Sequence, residues 1–287
     1  MICITGASGT LGTEVARQLE SAKASCRACY HSEEKAEAAR TRGLDAVTID
    51  YNRPETLRAA FNGCDDLFLL GPNTVNQTQL ETNAVEASTA TGIRHIVKQS
   101  VFGAAEESFE FARLHRTIEK TIESSGIPWT FLRPNSFMQN VVSFMSPTIK
   151  AESAFYSATD GAKISHVDVG DIAAVAVRAL TEPGHEGHAY TLTGPEALSY
   201  DELASELSKV LGRPIRHVSV PPADMKAGML SMGMPEAIVD RLLDLDRFFL
   251  DDGASRITND IMQVTGRNPR RFAQYARDVA TLLQPAE

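Results

Sequence analysis

The sequence lacks the features of a membrane, secreted or nucleic-acid-binding protein. No apolar stretch approaches the ~20 residues that a helix needs to cross a bilayer, and the strand-like residues 2–5 leave no room for a signal peptide after Met1. Acidic residues outnumber basic ones by 37 to 28, and the formal net charge of -9 disfavours nucleic acid as a partner. We therefore expect a cytoplasmic protein that binds neither membranes nor nucleic acid. We allow for a homodimer, formed with a second copy of the chain.

Cysteine and histidine are sparse, with four and seven residues. Cys26 and Cys29 have the C-x-x-C spacing but lie inside an apparent strand, whereas a redox pair of this spacing begins a helix. We interpret both as buried or half-buried strand residues, with Cys3 on the neighbouring strand. The histidines form neither an H-x-x-x-H nor an H-E-x-x-H pair, so we predict no metal site.

Short apolar runs alternate with helical periods over the first two-thirds of the chain. We predict strands at residues 2–5, 25–30, 46–49, 67–70, 95–99, 130–133 and 189–193, with intervening helices that stop at glycines 43, 63, 92 and 126. This pattern is typical of an α/β, Rossmann-type doubly wound parallel sheet. We expect residues 1–134 plus about 161–195 to form the dinucleotide-binding domain.

The rest of the chain has another character. Residues 135–160 look irregular, and a capping-box pattern at Ser199 opens a series of helices. We expect residues 135–160 plus 196–287 to form a smaller, mostly helical lobe that covers the substrate at the sheet's carboxyl edge. Met225, Met229 and Met232 share one helical stripe, which we interpret as core.

A glycine-rich turn follows the first strand directly and opens an amphipathic helix. In this context glycines let the backbone approach a pyrophosphate, and the helix N-terminus supplies free N–H groups. The predicted contacts from the turn are Gly6, Ser8, Gly9, Thr10, Leu11 and Gly12.

The end of the second strand indicates which dinucleotide binds. NAD-selective sites usually carry an acidic residue there, about 20 residues past the glycines, but this sequence has His31, Ser32 and Lys35, which can accept a 2′-phosphate. We expect NADP(H) as the preferred cofactor, with NAD as the alternative. Asp50 and Tyr51 close the third strand and are predicted to meet the adenine, although Asp50 also fits an ordinary turn carboxylate.

Several stretches together resemble the NmrA-like atypical short-chain dehydrogenases, in particular the triphenylmethane-reductase-like and quinone-oxidoreductase-like group. They are residues 6–12, 50–55, 92–97, 126–134, 167–173 and 190–195. The resemblance implies a nicotinamide-binding protein, and the family includes reductases, biosynthetic enzymes and non-catalytic redox sensors.

The Tyr-x-x-x-Lys dyad of ordinary short-chain dehydrogenases is missing, because none of the six tyrosines has a lysine four residues later. By the resemblance, His115 and Glu119 occupy the dyad positions on a helix of about residues 110–125. We predict that His115 and Glu119 act beside the nicotinamide, with Ser100 as a third catalytic candidate. The alternative is a His–Glu hydrogen bond on the helix surface that only stabilises the helix.

Residues at the carboxyl ends of parallel strands line the ligand site of such sheets. We assign to the cofactor Gly71, Pro72, Asn73, Ser100, Val101, Pro134 and Asn135. We assign to the substrate Phe102, Phe137 and Met138.

The preferred function is NAD(P)H-dependent hydride transfer to an apolar, aromatic, electron-poor acceptor, a quinone or a dye-like compound. Such an acceptor delocalises the charge, so a strong general acid is dispensable. The alternative is a non-catalytic NADP-binding redox sensor that acts through a protein partner, which the same missing dyad also suggests.

Overall fold

Nine strands are present in the computed structural model, which describes residues 1–285. They are β1 (Ile2–Ile4), β2 (Cys26–Tyr30), β3 (Asp45–Thr48), β4 (Asp66–Leu69), β5 (His95–Gln99), β6 (Trp129–Pro134), β7 (Ala154–Ser157), β8 (His188–Leu192) and β9 (Arg216–Ser219). Seven of them form one sheet in the order β3-β2-β1-β4-β5-β6-β8, and every pairing in it is parallel. The seven predicted strands are confirmed, each to within one residue.

The described residues form twelve α-helices, several of which cover the two faces of this sheet. They are α1 (Thr10–Ser21), α2 (Glu33–Thr41), α3 (Pro54–Phe61), α4 (Gln77–Thr91), α5 (Glu110–Ser125), α6 (Ser146–Glu152), α7 (Val169–Thr181), α8 (Tyr200–Leu211), α9 (Pro222–Ser231), α10 (Glu236–Leu250), α11 (Asp260–Thr265) and α12 (Phe272–Asp278), with a π-helix at Val141–Met145 and a 3-10 helix at Ala280–Leu283. Gly92 and Gly126 cap α4 and α5 in the left-handed conformation, as their predicted role as stops requires.

Two apolar cores lie on opposite faces of the sheet. On one face α1 packs against α7, and Val15 and Leu19 of α1 are fully buried there. On the other face α3, α4 and α5 bury side chains such as Phe61 and Ile118. The chain reverses its direction of winding between β1 and β4, and ligands bind at such a switch point in open parallel sheets. The doubly wound Rossmann-type fold is confirmed.

Two local predictions are wrong. The stretch 135–160 is not irregular: it holds the π-helix, α6 and β7, and β7 pairs in parallel with β9. A short strand whose partner lies some 60 residues away gives no local signal. The Met225 stripe is not core, because α9 packs mainly on the neighbouring α10 and buries none of its residues.

The cysteine interpretation is confirmed. Cys26 is half-buried and Cys29 buried in β2, and the Cys29 Sγ lies 3.3 Å from the Cys3 Sγ on β1. Within residues 1–285, no helix is long and apolar enough to cross a membrane.

Candidate functional site

A cavity of about 650 Å³ opens at the switch point of the sheet; we call it the turn cavity. Its walls come from the glycine turn, the ends of β2 and β3 and the loop after β4. Ten residues predicted to bind the cofactor line it: Gly6, Ser8, Gly9, Thr10, Leu11, His31, Asp50, Tyr51, Gly71 and Pro72.

The N-terminus of α1 faces this cavity without a cap of its own. Gly9 at the N-cap makes no side-chain hydrogen bond, and the first turn carries no acidic residue. The amides of that turn therefore keep free N–H groups and a partial positive charge for an anionic ligand.

The glycines of the turn have separate tasks. Gly12 does not line the cavity, and a Cβ there would lie 2.2 Å from the Gly6 carbonyl oxygen, so this glycine lets the helix pack on the turn. A Cβ on Gly9 would come no nearer than 3.4 Å to that oxygen and would occupy the cavity wall instead. Backbone and space at the turn thus fit a dinucleotide pyrophosphate.

The three residues predicted to bind a 2′-phosphate do not all line the same cavity. Exposed His31 lines the turn cavity, but the Ser32 Oγ accepts a hydrogen bond from the Lys35 amide at 3.4 Å and caps α2. Lys35 lines another open cavity, of about 790 Å³, between α1 and α2. That cavity is larger; it shares Ser8 with the turn cavity, and of the carboxyl ends of the strands it reaches only that of β2, at Tyr30. Of the three, only His31 lines the turn cavity.

Asp50 and Tyr51 have structural tasks as well as places in the cavity wall. The Asp50 Oδ1 accepts a hydrogen bond from the Asn52 amide at 2.9 Å, which closes the turn after β3. The Tyr51 hydroxyl donates to the Leu70 carbonyl at 2.9 Å, and burial raises the pKa of Tyr51. These side chains shape the wall and hold the loop after β4 against it.

A second cavity of about 370 Å³ continues from the first; we call it the aromatic cavity. Both cavities are lined by Leu70, Gly71 and Phe137, so the two form one cleft. Seven phenylalanines line the aromatic cavity: Phe102, Phe109, Phe111, Phe137, Phe144, Phe248 and Phe249. The Phe109 and Phe248 rings lie 4.7 Å apart. The cleft thus leads from an anion-binding turn to an aromatic chamber.

Most of the strand-end residues that we predicted to contact cofactor or substrate line the aromatic cavity. It is lined by Asn73, Val101, Phe102, His115, Pro134, Asn135 and Phe137. The Asn135 amide is already engaged, since its Nδ2 donates to the Ser165 Oγ at 2.8 Å and to the Ala254 carbonyl at 2.9 Å. Met138 does not line the chamber: it is buried in the core beneath, with Val141.

Ser100 and Glu119 lie behind the wall rather than on it. Both are fully buried, and the Ser100 Oγ donates to the Glu119 Oε1 at 2.7 Å. Arg133 donates two hydrogen bonds, of 2.9 and 2.7 Å, to the same carboxylate. Burial opposes ionisation, but the Arg133 and Ser100 hydrogen bonds outweigh it and lower the pKa of Glu119. Neither side chain lines the aromatic cavity or the turn cavity. The catalytic roles predicted for both, and the cofactor contact predicted for Ser100, stay predictions.

His115 does not pair with Glu119, so the helix-surface alternative is wrong too. Its ring is only 7% exposed, and its Nδ1 lies 3.3 Å from the Lys98 Nζ. Burial and the Lys98 charge lower the pKa of His115 well below its usual range. The imidazole is therefore neutral at physiological pH.

Sequence reasoning missed Lys98 and its partner Glu81. Both are fully buried, and the Lys98 Nζ lies 2.8 Å from the Glu81 Oε2. The signal was a lysine inside the apolar run of β5, because a lysine on a buried strand needs a partner. The α10 side chains of the chamber, such as Leu242 and Leu245, were missed as well, since a helical stripe alone does not reveal what it packs against.

Comparisons with known proteins agree with this geometry. The NmrA-like family model matches residues 1–276. An NAD(P)H azoreductase of Xenophilus azovorans is 37% identical over 278 residues, which cover 96% of this chain and 97% of that protein. The structure of an NADPH-dependent quinone oxidoreductase of Escherichia coli, complexed with NADPH, superposes with a TM-score of 0.88 at 28% identity, over 97% of this chain and 99% of that one. The triphenylmethane reductase of Citrobacter sp., complexed with NADP(H), has a TM-score of 0.87 at 26% identity, over 98% and 100% of the two chains.

Proposed function

The chain belongs to the NmrA-like family, and from that membership we propose that it is an NAD(P)H-dependent reductase of electron-poor conjugated acceptors. Quinones, azo dyes and triarylmethane dyes are the acceptor classes we have in mind, because the similar proteins are named for reducing them. The observation that carries the proposal is the continuous cleft, in which the turn cavity meets the aromatic cavity at Leu70, Gly71 and Phe137.

The turn cavity suits a nicotinamide dinucleotide, with NADP(H) preferred. The free amides at the start of α1 would bind the pyrophosphate, Tyr51 and Asp50 would border the adenine, and His31, which lines the same cavity, would meet a 2′-phosphate. When bound, the reduced cofactor supplies a hydride, that is, two electrons and one proton. Gly71 lies where the two cavities join, so the nicotinamide end belongs beside it.

The aromatic cavity selects the acceptor by shape and polarity. Its phenylalanines, with Val101, Leu242 and Leu245, offer a flat apolar acceptor stacking surfaces and exclude water. A neutral quinone or azo acceptor would gain the hydride at a conjugated carbon or nitrogen, its negative charge would spread over the π-system, and a proton from solvent would complete the reduction. A triarylmethane cation would become neutral on gaining the hydride and would need no proton. Binding and orientation then supply most of the catalysis.

His115 is the one titratable side chain that we propose to contact the acceptor. It lines the chamber as a neutral imidazole and can donate a hydrogen bond to an acceptor oxygen or nitrogen. Asn135 holds the chamber to the segment around Ala254 through its amide. We retain the division into residues 1–134 plus about 161–195, which bind the cofactor, and 135–160 plus 196–287, which cover the substrate.

Turnover with matched acceptors tests the proposal. We expect the purified chain to oxidise NADPH with menadione, with an azo dye and with a triarylmethane dye. A Gly9→Val variant should remain folded and lose activity with all three, because the side chain fills the pyrophosphate site. Absence of turnover with every acceptor, together with much tighter binding of NADP⁺ than of NADPH, would instead identify a redox sensor.

A further inference from the structure

A buried ionic cluster lies directly beneath the aromatic cavity. Lys98 points from β5 toward α4, where its Nζ meets the Glu81 Oε2 at 2.8 Å, and the Gln77 Nε2 donates to the Glu81 Oε1 at 2.8 Å. Neither charge is exposed to solvent. A buried ion pair contributes little to stability compared with apolar side chains of the same size, so its presence calls for a specific task.

The hydrogen-bonding capacity of Lys98 determines the tautomer of His115. A lysine ammonium has three donors and no acceptor. Besides Glu81, the Lys98 Nζ contacts the Gln99 carbonyl oxygen and the His115 Nδ1, the latter at 3.3 Å. The Nδ1 must therefore accept, and in the neutral ring the proton lies on Nε2. Within residues 1–285 the Nε2 has no hydrogen-bond partner, and it is not among the atoms sealed from solvent.

We propose that Lys98 is a positioning residue that holds neutral His115 in the Nε2–H tautomer, with this N–H free to donate to the acceptor in the aromatic cavity. The proposal rests on the proposed reductase function and names the acceptor class that the site favours. Acceptors that develop negative charge on a carbonyl oxygen or an azo nitrogen gain from a donor there. A triarylmethane cation, which takes hydride at carbon and becomes neutral, gains nothing from it.

The groups around His115 keep the ring neutral. β5 supplies the Lys98 ammonium, α4 supplies Glu81, already bound to Lys98, and α10 adds only apolar side chains to the cavity wall. On α5 itself, the Glu119 carboxylate is engaged by Arg133 and Ser100. No unpaired carboxylate among these groups favours an imidazolium, so the donor keeps the same state across the physiological pH range.

Two charge-neutral double variants separate positioning from scaffolding. Lys98→Met/Glu81→Gln removes the buried ion pair and the donor to Nδ1. Lys98→Gln/Glu81→Gln has the same charge and nearly the same side-chain length but keeps an N–H donor at position 98. Ring-nitrogen NMR of His115 reports the tautomer directly, without cofactor or acceptor, and kinetics with menadione and a triarylmethane dye report the consequence.

We expect the parent and the Lys98→Gln/Glu81→Gln variant to show the Nε2–H tautomer near pH 7. The Met-containing variant should show mixed tautomers, with kcat for menadione lowered about tenfold, and with the acceptor KM, the NADPH affinity and the rate with the cationic dye little changed. An Nδ1–H or charged ring in the parent, or equal spectra and rates in both variants, would overturn the proposal. If the parent reduces no acceptor, the reductase function fails, while the NMR result still decides the tautomer.

Discussion

Replacing His115 with phenylalanine tests the acceptor site most sharply. The change keeps a planar ring in a position that is only 7% exposed and removes both ring nitrogens. A hydrogen bond to a charged group contributes about 1.5–3 kcal/mol, and each 1.36 kcal/mol corresponds to about tenfold in rate. We therefore expect kcat/KM for menadione to fall roughly 10- to 100-fold, and the rate with a triarylmethane dye to stay nearly constant.

The structure also indicates a control for this change. Phenylalanine leaves the Lys98 Nζ without its third partner but with Glu81 and the Gln99 carbonyl, so we expect a stability loss of about 1–3 kcal/mol. A His115→Gln variant can accept from Lys98 through its amide oxygen and donate into the cavity through its amide nitrogen, and should recover much of the rate. Single-turnover kinetics with both acceptors, NADPH titrations and thermal melts measure these effects. Equal losses on both acceptors, or none on either, would refute the donor role.

Three further changes test other parts of the structure. Gly12→Val should destabilise the fold itself, because its Cβ would lie 2.2 Å from a backbone carbonyl oxygen of the turn, whereas Gly9→Val should leave the melting temperature close to the parent's and abolish NADPH binding in fluorescence titrations. His31→Asp should weaken NADPH more than NADH, by on the order of 1–3 kcal/mol; equal weakening of the two dissociation constants would show that this residue does not read the phosphate. Burial lowers the pKa of His166 to about 4, from an ordinary value of 6.5. Between pH 6.5 and 4 the unfolded chain binds a proton at this residue that the folded chain does not. The residue therefore costs no stability above pH 6.5 and an increasing amount as the pH falls toward 4, about 3 kcal/mol in all. His166→Asn keeps a donor for the Ile164 carbonyl, so its denaturation midpoint should fall less on acidification, and parallel pH dependences would contradict the assignment.

The sheet could be predicted because each of its strands is marked locally. Apolar runs such as residues 67–70, which lie between Gly63 and Gly71, mark these strands, and a parallel sheet buried on both faces needs such runs. The strand β7 was not predicted, because it has only four residues and its partner β9 is distant in the chain. Likewise, the apolar stripe of α9 predicts a core that the tertiary packing does not supply.

The candidate site could likewise be predicted only in part from the sequence. Residues of the glycine turn and the strand ends could be placed, because parallel strands bring their carboxyl ends to one edge. Helical spacing placed His115 and Glu119 on one side of α5. It could not show that Arg133 and Ser100 donate hydrogen bonds to Glu119, or that Lys98 donates one to His115. Those pairings depend on side chains from β5 and β6, which only the assembled sheet brings beneath the helix.

Transfer of the hydride itself tests the central claim most directly. The purified chain, loaded with NADPH that carries deuterium at the transferable position on one face of the nicotinamide, would be mixed without oxygen with menadione in a single turnover. We predict that deuterium on one face slows the reaction with a primary isotope effect, and that deuterium on the other face does not. Binding of NADPH without turnover, or a rate indifferent to deuterium on both faces even when the chemical step is shown to be slow, would contradict the account.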